Sequence, residues 1–84
     1  MIITFSSIAW EDYTRWQKED PKKVLKINKL IKDVSRNGNA GIGKPEALKF
    51  DLTGFWSRRI DHEHRLVYKL TEDELQIISC RYHY

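Results

Sequence analysis

The apolar residues of this chain change their spacing once, and that change fixes the fold class. From Ala9 to Val34 they recur with a helical period. Ala9, Tyr13 and Trp16 fall at i, i+4 and i+7, and Val24, Ile27, Ile31 and Val34 at i, i+3, i+7 and i+10, with Leu30 beside them. From Phe55 onward they alternate, so that Leu66, Tyr68, Leu70, Leu75 and Ile77 share one face of extended chain. A helical block followed by an alternating block predicts an α+β domain: a mostly antiparallel twisted sheet with two helices packed on one face. The opposite face of the sheet is then left open for a partner or substrate.

Local signals set the boundaries. Met1–Phe5 reads as a strand, and one of the serines at 6 and 7 caps the helix that follows. Asp20-Pro21 ends that helix and starts the next, because proline pushes its predecessor out of helical angles and suits the first helical position. Asn37-Gly38 stops the second helix. Residues 37–54 hold four glycines and Pro45 and read as a long loop, with a short strand expected at Ala47–Phe50. Three strands follow at residues 55–60, 64–71 and 74–84, giving the order β-α-α-β-β-β-β. A two-residue turn at Glu72-Asp73 places Lys69 opposite Gln76, Val67 opposite Ile78 and Arg65 opposite Cys80. That register puts Arg65 and His83 on opposite faces, so a bend after Arg81 is expected if both serve one site.

With 84 residues there is room for one domain, residues 1–84, and a 40% apolar content is enough to give it a core. No apolar run is long enough for a membrane helix. The first thirteen residues lack the basic and apolar segments of a signal peptide. A single cysteine, Cys80, excludes an internal disulfide and a cysteine-cluster zinc site, and a reducing cytoplasm is the expected compartment. His62 and His64 have no companion cluster, so no metal or cofactor is expected. A net charge of +3 weakly favours an anionic partner. Lys22, Lys26 and Lys29 share one helix face, which reads equally as a solvated surface or a phosphate-contacting one.

Several strings in the second half carry a resemblance: GKPE at Gly43–Glu46, Leu48-Lys49, GFWSRRI at Gly54–Ile60, EHRLVY at Glu63–Tyr68 and CRYHY at Cys80–Tyr84. Together with KINKLIKD at Lys26–Asp33, they resemble the YoeB (Txe-type) toxins of the RelE superfamily over nearly the whole chain. Ala47 departs from the pattern, standing where relatives often have a second proline. The resemblance implies a cytoplasmic toxin of a type II toxin–antitoxin pair that cuts mRNA in the ribosomal A site without a metal. It also implies a YefM-like antitoxin that silences the toxin, and repression of the pair's own operon, with operator DNA contacted only through the complex. ParE-type relatives act on gyrase instead, so a non-catalytic binding protein or co-repressor on the same fold is the alternative.

Metal-free RNA cleavage needs a base for the ribose 2′-hydroxyl, an acid for the leaving 5′-oxygen and cations around the phosphorane. Glu46, beside Pro45, is the candidate base. His83, with an ordinary pKa of about 6.5, is the candidate acid. Arg65 offers phosphate a guanidinium fork. Lys49 and Arg59 assist, and Tyr84 positions a base by stacking. Arg58 and Arg59 point to opposite faces of their strand, so only one can line the site; the resemblance selects Arg59, leaving Arg58 to solvent or another charge. Taken alone, Glu46 and Lys49 also read as solvated surface charges, His83 as a solvated tail, and Arg65 as the partner of Glu63 or a nearby acid. Trp10, Trp16 and Trp56 read as core or antitoxin-binding residues, and Cys80 as an inert buried thiol.

Overall fold

Ser6 Oγ accepts the amide of Ala9 at 3.0 Å and opens the first helix, α1, at Ser7–Glu19. The carboxylate of Asp20 accepts the amide of Lys22 and opens α2, Pro21–Asn37, which Gly38 closes. The computed structural model describes residues 1–82. Its strands are β1 at Ile2–Phe5, β2 at Glu46–Ala47, β3 at Trp56–Arg59, β4 at Arg65–Leu70 and β5 at Glu74–Ser79. They form one sheet in the order β1-β5-β4-β3-β2. β1 runs parallel to β5 and every other neighbouring pair is antiparallel.

Both helical stripes read from the sequence face this sheet. Ile27, Leu30, Ile31 and Val34 of α2, with Ala9 and Trp16 of α1, pack against Leu66, Tyr68, Leu75 and Ile77. Burial of such side chains contributes about 1.5–3 kcal/mol each and is what holds the helices on the sheet. Cys80 also belongs to this core, and burial pushes its thiol up to about 12, the inert state expected of it.

Four details differ from the sequence expectations. The strand expected at Ala47–Phe50 lies instead at Glu46–Ala47, and Phe50–Leu52 form a 3-10 turn. β5 stops at Ser79 rather than running through the last residues. Lys69 faces Gln76 as expected, but Val67 faces Ser79, because Ile78 is an extra residue in β5. The strand end is captured by α1: the Asp12 carboxylate accepts the Cys80 amide at 3.0 Å, and the Trp16 indole donates to the Cys80 carbonyl at 2.8 Å. The chain also turns after Arg81, where Tyr82 takes a φ of +58°. Finally, the helix-free face is not open throughout, since Ser57 and Val67 at its centre are 2% and 6% exposed.

Candidate active site

Residues opposite one another in an antiparallel ladder share a face, and the β2-β3-β4 ladder aligns Glu46 with Ser57 and Ser57 with Val67. One pleat along the same face, Arg59 stands opposite Arg65. Glu46, Arg59 and Arg65 therefore lie on the helix-free face. Glu46 and Arg59 are exposed and Arg65 is half-buried. Lys49 is exposed two residues past β2, and it lines a cleft of about 460 Å³ together with Glu46 and Phe50.

Arg58 explains how the glycine-rich segment delivers Glu46 to this face. Its side chain is fully buried on the helix side of β3. There it pairs with the Asp33 carboxylate of α2 and donates to the carbonyls of Gly38, Ala40 and Ile42 at 2.7–3.0 Å. Its Nε donates to the Tyr68 hydroxyl at 3.3 Å. Hydrogen bonding to Arg58 holds Asp33 below the usual carboxylate range. Of the two expected partners for Arg58, solvent and another charge, the second is found. Next in the chain, the Arg59 amide donates to the Gly43 carbonyl at 2.7 Å. A Cβ on Gly43 would come within 2.7 Å of Leu30 Cδ2, and its φ is +81°, so glycine is required at this approach.

The β3-β4 turn fixes Arg65. Asp61 Oδ1 accepts the amides of Glu63 and His64 at 2.8 and 2.6 Å, and Oδ2 pairs with Lys23 of α2 at 2.6 Å. Burial alone would raise the Asp61 pKa, but Lys23 and those two amides hold it well below the usual carboxylate range. The Asp61 carbonyl in turn accepts Arg65 Nη1 at 2.7 Å, and the His64 carbonyl accepts it at 3.1 Å. Arg65 is not paired with Glu63, whose carboxylate lies 3.2 Å from His64 Nε2. One edge of the guanidinium is thus held by backbone carbonyls, which orient it without neutralising its charge.

The expected acid, His83, and the expected positioning residue, Tyr84, lie outside the described residues. The chain that leads to them is held at every step. Arg81 forms a two-pronged pair with Glu19 at 2.8 and 3.1 Å and lies 4.3 Å over the Trp16 ring. The Tyr82 carbonyl accepts the Arg65 amide at 2.8 Å, and the Tyr82 amide donates to His64 Nδ1 at 2.7 Å. Residue 82 therefore lies beside Arg65. Arg58, Asp61 and His64 were not assigned these supporting roles from sequence. The parity was there to find: Arg58 alternates with Trp56 and Ile60, and His64 with Leu66 and Tyr68, which places both on the core face.

Two cations and a carboxylate on one face, with Lys49 beside the carboxylate, can grip a phosphodiester and remove a proton from a neighbouring hydroxyl. Among the described residues no group of three His, Cys, Asp or Glu side chains could hold a metal ion. No helix of the described residues is long and apolar enough to cross a membrane. A separate groove of about 490 Å³ runs between β1, α1 and α2; it is lined by Phe5, Trp10, Tyr13 and Ile31 together with Lys32 and Arg36, and none of Glu46, Lys49, Arg59 and Arg65 lines it. Trp10 is 55% exposed there, whereas Trp16 is core.

Residues 5–84 match the model of the YoeB-like toxin of bacterial type II toxin–antitoxin systems. The chain is 57% identical to the toxin YoeB of Streptomyces coelicolor and 56% identical to that of Escherichia coli K12, over the full length of each. It is similar to a YoeB/ParE toxin structure from Agrobacterium tumefaciens, with a TM-score of 0.97 at 46% identity over the whole of both chains. It is also similar to the toxin chain of a YoeB-YefM complex from Staphylococcus aureus, with a TM-score of 0.92 at 55% identity over 100% of this chain and 98% of that one.

Proposed function

The chain belongs to the YoeB-like toxins of bacterial type II toxin–antitoxin systems, and from that premise we propose that it is a ribosome-dependent endoribonuclease that cuts mRNA in the decoding site without a metal. Glu46 takes the 2′-hydroxyl proton. The attacking oxygen forms a bond to phosphorus, and the bond to the 5′-oxygen breaks as His83 protonates that leaving group. Arg65 stabilises the phosphorane, Arg59 and Lys49 hold flanking charge, and Tyr84 stacks on a base. The observation that carries this reading is the shared face of Glu46, Arg59 and Arg65, with the Tyr82 carbonyl bonded to the Arg65 amide immediately before His83. A pure binding surface has no need of a carboxylate among cations that are to meet a polyanion.

The proposed antitoxin is YefM-like, as in the Staphylococcus aureus complex. An acidic, partly disordered segment of it would cover Arg59 and Arg65 and so exclude RNA. The pair would then act on its operator only as a complex, in the cytoplasm. Primer extension on an mRNA in a purified translating system tests the activity. New 5′ ends within codons at the A site, seen with ribosomes and absent without them, are expected. Blocked translation with intact mRNA, or inhibition of gyrase instead, would overturn the reading.

A further inference from the structure

His64 takes no part in the chemistry above, yet it is 7% exposed, its Nδ1 accepts a hydrogen bond and its Nε2 lies 3.2 Å from a carboxylate. A backbone N–H can only donate, so the 2.7 Å contact from the Tyr82 amide requires an unprotonated Nδ1. Nε2 then carries the proton and faces the Glu63 carboxylate at 3.2 Å. The ring stands edge-on to Trp16 at 4.7 Å and tilted against Tyr82 at 5.3 Å. The bond holds a strained residue, since Tyr82 has a φ of +58°, a region that costs a tyrosine energy unless its surroundings enforce it. The same two-residue unit holds the other side of the site: the Arg65 amide bonds the Tyr82 carbonyl, and the His64 carbonyl accepts Arg65 Nη1.

We propose that His64 is a positioning residue: its Nδ1 lone pair locks the Tyr82 backbone and thereby sets the direction in which the chain leaves toward His83, beside the phosphate held by Arg65. This rests on the ribonuclease reading, with His83 as the acid. β5 has already ended at Ser79, so no strand ladder among the described residues orients the segment that follows. A misplacement of about 1 Å at a reacting group can cost about 100-fold in rate. The lock therefore acts on the chemical step and not on docking to the ribosome.

The test uses single-turnover mRNA cleavage on programmed ribosomes at saturating and sub-saturating toxin, with wild type, His64→Phe and His64→Asn. Wild-type cleavage reports on the ribonuclease reading itself, independently of the variants. His64→Phe keeps a ring against Trp16 and removes the acceptor. It is expected to lower the saturating rate by at least tenfold while leaving the half-saturating concentration and antitoxin affinity unchanged. Asparagine restores an acceptor near the Nδ1 position, and is expected to recover most of the rate. A folded His64→Phe protein that cleaves like wild type, or an asparagine variant no better than phenylalanine, would overturn the proposal. Should phenylalanine prevent folding, the wild-type protein still decides. A through-hydrogen-bond 15N–15N coupling between the Tyr82 amide and the His64 imidazole is expected, and its absence at neutral pH would remove the lock.

Discussion

Arg59 and Arg65 face each other directly across the β3-β4 ladder, on the sheet face that carries Glu46. Like charges at such a position destabilise a sheet by roughly 0.2–1 kcal/mol. Neither side chain forms an ion pair with an acid among the described residues, so no carboxylate of theirs relieves the repulsion. A surface built this way gains when an anion arrives between the two guanidiniums.

Arg59→Gln is therefore expected to leave the fold as stable as wild type, or more stable by up to about 1 kcal/mol, while weakening RNA cleavage. Urea unfolding and single-turnover cleavage on the same preparation check it. A variant that loses stability and activity together would mean that Arg59 supports the structure and not the phosphate.

The residue before it behaves oppositely. Arg58 is buried and satisfies Asp33 and three loop carbonyls. Arg58→Met removes a fully buried charge partner from Asp33 and from those carbonyls and is expected to cost roughly 3–5 kcal/mol. The loop before Glu46 should lose its protection from hydrogen exchange. A loss under about 1 kcal/mol in denaturant unfolding would show that water replaces the guanidinium without penalty.

These neighbouring arginines also show how far the sequence could be read. Their alternation assigned opposite faces correctly, because parity is a local property of a strand. The resemblance, and not the alternation, selected Arg59 for the site. The second helix was equally legible, since Asp20-Pro21 and Gly38 mark its ends and its apolar period is unbroken. The end of β5 was not. Alternation invited the strand to continue to Tyr84, whereas the groups that stop it, Asp12 and Trp16, lie more than sixty residues earlier. The one local hint of the bulge is the Ile77-Ile78 pair, which breaks an otherwise alternating run. β2 was misplaced for a similar reason. Its two residues are extended because β3 pairs with them, and their own propensities do not favour a strand.

Acid should act through Asp61. Its folded pKa lies below that of the unfolded chain, so it contributes stability that is fully present above the unfolded value of about 3.9. That contribution is lost as pH falls toward the folded value. Wild type should therefore lose stability between about pH 5 and pH 2. Asp61→Asn should be less stable at neutral pH and show a shallower acid limb. Urea midpoints taken across that range would reject this if the two proteins had parallel profiles.

Cleavage should survive excess EDTA once Mg²⁺ is added back to satisfy the ribosome. The proposed acid, base and cations are all side chains, and no step of the scheme uses a metal. Recovery that required zinc or manganese in place of magnesium would contradict the proton-transfer scheme.

The decisive pair is Glu46→Gln and His83→Gln. Each keeps size and polarity and removes a group that exchanges protons, and general acid–base groups contribute about 10²–10⁴-fold. Both variants should fold and bind antitoxin as wild type does, because each substitution is conservative and Glu46 is exposed in a two-residue edge strand. Each should lower the single-turnover rate on saturated ribosomes by a factor in that range, with unchanged ribosome affinity. The double variant is the sharper measurement. If the two act on one displacement, losing the second partner removes little that the first loss has not already removed, and the effects should fall well short of multiplying. Fully multiplicative losses would place Glu46 and His83 in separate steps, and a near wild-type rate for His83→Gln would move the acid to Tyr84 or to water.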